Sequence, residues 1–244
     1  MKLLKVFCAF LFLSGTTLTA RAQTPAPSQS GADMNVNIQS LVQGRPASLP
    51  SGSADTKGSP YAIDQWLTGR LRLASNVRLA PLPIKYDVLN RRLLMRENYQ
   101  SRDSLQLNDT QVVSFALDEP ATPLTPARTR LFQRFTDSPD VGYRSAYAEI
   151  LHQGRYTLLK VYAKKLIMAD YQSPYGANRR ENEIENRQLY FLRRPDASVV
   201  PVKLSLRALM AAAPDLAAKL AQASPAPKTD ADWTATLSAA DATK

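Results

Sequence analysis

Between Tyr61 and Leu204, apolar residues recur at every second position between clusters of turn formers, a spacing that buries one face of successive extended segments. Leu71 and Leu73 alternate with Arg70 and Arg72, Ser75-Asn76 interrupts the run, and Val77 and Leu79 resume it around Arg78, which predicts a hairpin. Leu82 to Tyr86 keeps the alternation but carries Pro83, whose missing N–H assigns it to an edge, a bulge or a strand start. Arg92 to Arg96, Ser104 to Leu107 and Gln111 to Leu117 are predicted as short strands, with Asn108-Asp109 turning into the last of them. After a loop marked by Pro120, Pro123 and Pro126, Leu131 to Phe135 reads as a strand. Tyr147 to Leu151 and Tyr156 to Leu166 then form a hairpin around His152-Gln153-Gly154-Arg155. The second strand of that hairpin is apolar on both faces for much of its length, which places it centrally between packed layers. Gln188 to Arg193, a type I turn at Pro195-Asp196-Ala197 and Val199 to Leu204 complete the set.

After Leu204 the apolar period lengthens to about 3.6. Ser205 predicts an N-cap for a helix presenting Leu206, Leu209 and Met210, and Pro214 opens a second with Leu216 and Leu220 aligned. Thr229 caps a third, in which Asp230 and Asp232 favour the positive end of the helix dipole and Trp233 and Leu237 share a face. The expected fold is mainly β: an antiparallel meander forming a curved sheet, sandwich or partial barrel, with short C-terminal α-helices.

Lys2 and Lys5, the apolar run from Val6 to Leu13 and the small-x-small sequence Ala20-Arg21-Ala22 together predict a secretory signal peptide over 1–22, with no transmembrane segment retained. Residues 23–58 are rich in Pro, Ser, Gly, Gln and Ala and read as a flexible low-complexity linker. They lead into an antiparallel β domain over 59–204 and a helical tail over 205–244 packed upon it. Cys8 is the only cysteine and lies in the expected leader, so an exported β domain would have to hold together without cross-links. The net charge of +10 falls to +7 once Lys2, Lys5 and Arg21 depart. A basic surface of that size favours acidic partners without naming one.

The residues argue against familiar catalytic chemistry. His152 is the single histidine and reads as a surface turn residue, and no nucleophile elbow, zinc signature or phosphate-cradling glycine loop is present. Asp87, Glu97, Asp103, Asp118, Glu119 and Glu149 are carboxylates that a glycosidase-like pair would need, but pairing is a spatial property. Glu181, Glu183 and Glu185 alternate beside Arg179, Arg180 and Arg187 as a self-compensated run, so no metal and no cofactor is expected. Asn108-Asp109-Thr110 matches a glycosylation sequon that its turn role explains. The long polar stretch from Asp170 to Asn186 is read as a loop, and within it Tyr171, Tyr175, Arg179 and Arg180 combine aromatic faces with cations. They are the candidate partner-binding residues.

Gly58-Ser59-Pro60-Tyr61, Trp66-Leu67-Thr68-Gly69 and Pro83-Ile84-Lys85-Tyr86-Asp87 form a pattern with the later Tyr147-x-Glu149-Ile150-Leu151-x-x-Gly154 and Leu158-Leu159-Lys160. In these motifs the chain resembles a family of uncharacterised exported bacterial proteins from gliding-type, Gram-negative lineages. The resemblance spans most of Gly58 to Leu209 and implies an envelope, periplasmic or secreted location. It carries over no catalytic residues and no established activity. The expected function is therefore a non-enzymatic envelope protein that binds a macromolecular partner such as an envelope protein, an anionic glycan or a lipid, through a sheet edge or the tyrosine-arginine loop. Binding of an apolar ligand inside a curved sheet is the alternative, a carboxylate-based hydrolase comes third, and nucleic acid is not expected.

Overall fold

Eleven strands, two to twelve residues long, share one sheet in a computed structural model that describes residues 56–75, 79–169 and 181–242; the expected leader and most of the expected linker lie outside these. The strands are β1 (Thr56–Lys57), β2 (Leu67–Leu73), β3 (Leu82–Asp87), β4 (Arg92–Met95), β5 (Leu105–Gln106), β6 (Val112–Glu119), β7 (Arg128–Arg134), β8 (Tyr147–Gln153), β9 (Thr157–Ile167), β10 (Asn182–Arg193) and β11 (Val199–Val202). Their order is β1-β10-β9-β8-β7-β6-β2-β3-β4-β5, with β11 on the same side of β10 as β1. All pairs are antiparallel except β1 with β10, and the sheet does not close into a barrel.

The sheet curls tightly. At about 4.8 Å per strand a flat sheet would hold β3 and β8, four steps apart in this order, roughly 19 Å from one another. Instead the Tyr86 and Tyr147 rings meet edge to face at 5.5 Å, and the Tyr147 backbone N–H donates to Tyr86 Oη at 3.1 Å. Phe115 and Phe132 stack at 4.7 Å inside the curl, and Ile84, Leu93, Met95 and Leu117 fill the rest. Gly69 makes this possible, because a Cβ there would come within 2.4 Å of Ile84 Cδ1. From Thr56 to Ala62 the chain straps across the open side: β1 lies on β10, Tyr61 bridges Asp87, and Ala62 N–H donates to Tyr86 O at 3.0 Å.

Every residue of β9 from Thr157 to Tyr162 is buried, as its two apolar faces require. Leu158 faces the helices, whereas Leu159 and Val161 pack with Phe135, Ala148 and Phe191 on the opposite side. The helical layer comprises α1 (Leu206–Ala212), a 3-10 turn at Pro214–Leu216, α2 (Ala217–Leu220) and α3 (Asp230–Asp241). Ser205 caps α1 through Ala208 N–H, and Thr229 with Asp232 forms a reciprocal capping box on α3. Trp233 and Leu237, four residues apart, are buried on one stripe of α3.

Several expectations need correction. Of the predicted hairpin, Leu79 belongs to no strand and 76–78 lie outside the described residues; β2 pairs with β3 from Leu67↔Ile84 to Gly69↔Leu82 on one side and with β6 on the other. Pro83 sits inside the sheet, but as the second residue of β3, where Arg96 N–H to Pro83 O ends the β4 ladder and no return bond is needed. Residues 182–186 of the expected polar loop are strand, because β10 runs the length of β9 from Glu183↔Ile167 to Arg193↔Thr157. Thr56 and Lys57, read as linker, form β1. His152 is no surface turn residue: it lies within β8 and is buried, since a bulge after Ile150 leaves the turn to Gly154–Tyr156 and turns the imidazole under α3.

Candidate functional site

A layer of ionised groups separates the curl from the helices. Arg130 on β7 reaches Glu119 through Nε at 2.9 Å and Glu149 through Nη1 at 3.4 Å, and donates to Tyr162 Oη at 2.9 Å. Tyr162 in turn donates to Glu149 at 2.6 Å. One register step along, Lys160 donates to Asp230 at 2.6 Å, and Asp230 also accepts from Tyr190 at 3.0 Å. Burial, then the Glu149 charge, pushes the Tyr162 phenol well above its ordinary range, and burial with Asp230 does the same for Tyr190. Burial works against ionisation of Glu119, yet its bonds from Arg128 and Arg130 prevail and hold the carboxyl low. The sequence-selected carboxylates are thus brought together in part: Glu119 and Glu149 share Arg130, whereas Asp118 pairs with Arg70 and Asp87 braces a turn through Asn90 and Arg92. Glu97 and Asp103 are exposed on a loop. Each member of the Glu119–Glu149 pair is neutralised by arginine, which makes the layer cohesive rather than a pair of free acid and base.

His152 lies behind this layer. Its Nε2 is 3.0 Å from Asp241 Oδ2 and its Nδ1 3.2 Å from Ser238 Oγ, both on α3. Asp241 Oδ2 also accepts from the Tyr156 backbone N–H at 3.0 Å. Sequence reasoning missed this cluster because its members lie 89 positions apart and are joined only when α3 docks on β8.

The third feature is the outer edge of β10. Arg194 N–H donates to Ser198 O and Arg194 O accepts from Ala197 N–H, so Arg194 turns both backbone groups toward β11. Alternate residues of an antiparallel strand do the same, which assigns Leu192, Tyr190, Gln188 and Asn186 to that edge. β11 covers Tyr190 to Arg193 and β1 covers Asn182 and Glu183, leaving the main-chain groups of Asn186 and Gln188 without a strand partner among the described residues. An apolar groove of about 930 Å³ adjoins this gap, walled by Tyr143, Leu189, Phe191, Pro201, Val202 and Leu204. Tyr171, Tyr175, Arg179 and Arg180, the partner-binding residues expected from sequence, lie outside the described residues.

No family model matches the chain, and neither a curated protein nor a solved structure matches it.

Proposed function

We propose that this chain is an exported cell-envelope protein that takes up an extended segment of a partner polypeptide along the gap in the β10 edge. One juxtaposition carries the reading: the main-chain donors and acceptors at Asn186 and Gln188, which have no strand partner among the described residues, adjoin an apolar groove. Strand addition uses both, since main-chain bonds supply affinity and a groove accepts alternate apolar side chains of the guest. The interior of the curl is filled by Phe115, Phe132, Tyr86 and Tyr147, which weighs against a lipid held inside it. Export rests on the leader pattern and on the resemblance carried by Tyr61, Trp66 and Lys85.

A photo-crosslinking amino acid in place of the exposed Arg187 tests the proposal in the native envelope. The expected result is a discrete adduct with one polypeptide that disappears in the Gln188→Pro variant. Proline at 188 removes an outward N–H and leaves the β9 ladder intact, so circular dichroism should be unchanged. No polypeptide adduct, or one that persists in Gln188→Pro, would sink the reading.

A further inference from the structure

We infer that Ser238, His152 and Asp241 form a second, chemically active site, with Ser238 as a nucleophile toward small acyl esters. The inference is independent of strand addition at β10, which lies at a different edge of the molecule.

The arrangement meets the geometric needs of nucleophilic catalysis. A hydroxyl becomes a competent nucleophile when a base stands within hydrogen-bond reach and a third group orients that base. His152 Nδ1 is 3.2 Å from Ser238 Oγ, and Asp241 Oδ2 is 3.0 Å from Nε2 on the other side of the ring. A carboxylate only accepts, so it fixes the imidazole proton on Nε2 and leaves the Nδ1 lone pair aimed at the serine hydroxyl. The ring nitrogens exchange their usual duties, but the roles are those of a serine, base and orienting acid.

The surroundings hold the cluster in place. Asp241 is buried, with Oδ2 fixed by Tyr156 N–H at 3.0 Å and Oδ1 without a hydrogen-bond partner. Gly154 gives the carboxylate its room, because a Cβ there would fall 2.2 Å from Asp241 Oδ2 and 3.0 Å from His152 Nε2. Ser238 is exposed and borders a cavity of about 400 Å³ with Leu151, Gln153, Thr234 and Ala242 in its wall. That volume admits a short acyl group, and Gln153 in its wall carries a side-chain amide whose N–H groups are the type of donor an oxyanion requires.

In the step proposed, Ser238 Oγ bonds to the ester carbonyl carbon as its proton passes to His152 Nδ1. The carbonyl carbon to alkoxy oxygen bond breaks, and the alkoxide leaves as an alcohol with that proton. Water, deprotonated by the same imidazole, then cleaves the acyl-serine and releases a carboxylic acid. Asp241 acts as a positioning residue throughout.

The purified protein treated with a tagged fluorophosphonate should carry one adduct, located at Ser238 by peptide mapping. Ser238→Ala, an exposed change that leaves the core untouched, should abolish it. Asp241→Asn should slow labelling at least tenfold and lower kcat for p-nitrophenyl acetate by a similar factor while KM stays within about twofold, a split that loss of a purely structural bond would not give. Hydrolysis of p-nitrophenyl acetate should fall at least tenfold in Ser238→Ala. A wild-type protein that takes up no label, or takes it elsewhere, overturns the inference, as does unchanged labelling in Ser238→Ala.

Discussion

Two residues at positive φ show how local strain is tolerated. Arg91 (φ 54) follows the turn that buried Asp87 braces through Asn90 N–H and Nδ2 and Arg92 Nε, so that carboxylate supports a conformation its neighbour disfavours. Ala197 (φ 64) closes the β10–β11 hairpin at the left-handed position where glycine is the usual occupant. Its Cβ works against that conformation by about 1–2 kcal/mol, part of which glycine would return as added freedom of the unfolded chain. Ala197→Gly should therefore stabilise the protein by about 0.5–1 kcal/mol, read from the midpoint of urea unfolding. A lower midpoint would show that the hairpin is held by other means.

At the level of elements, α3 shows most plainly where sequence is sufficient. Its cap at Thr229 and its stripe of Trp233 and Leu237 were legible because both are local patterns, and the same holds for β4, β6 and the central burial of β9. The docking of that stripe was not legible. Trp233 packs in one cluster with Tyr156, Leu158 and Leu192, residues that alternation assigns to strands without saying what covers them. Trp233→Ala should cost about 3–5 kcal/mol, and guanidinium unfolding followed by far-ultraviolet circular dichroism measures it. Nor could alternation find β1, two residues long and defined only by its partner, or the pairing of β2 with β6 across nearly forty intervening positions. The candidate sites divide in the same way. Individual carboxylates could be named from the sequence, but the Arg130 fork that binds two of them, the His152 cluster and the gap in β10 all depend on long-range register.

For the whole molecule, the ionised layer beneath α3 makes stability depend on pH in two opposite ways. The Tyr162 and Tyr190 phenols ionise at higher pH folded than unfolded, owing to burial first and to Glu149 and Asp230 second. Their contribution is complete below about pH 10 and declines above it, because the unfolded chain then releases protons that the folded one retains. Glu119 ionises at lower pH folded than unfolded, because its bonds from Arg128 and Arg130 outweigh burial, so its contribution is present above about pH 4.5 and disappears as acid protonates it in the fold. Urea midpoints at pH 3.5, 7 and 10.5 should be highest at pH 7. Glu119→Gln should flatten the acid limb and Tyr162→Phe the alkaline one; limbs of unaltered slope would remove these groups from the account.

The pairing of β1 with β10 also dictates an order of events during biosynthesis. Thr56 and Lys57 leave the ribosome long before Asn182 and Glu183 exist to receive them, so the first strand waits while eight others are made. The strap over the curl is consequently among the last parts to set, and a growing chain stays unlatched. Such late closure is the cost of joining two strands so far apart along the chain, since the intervening segment must be drawn in before the contact that rewards it can form.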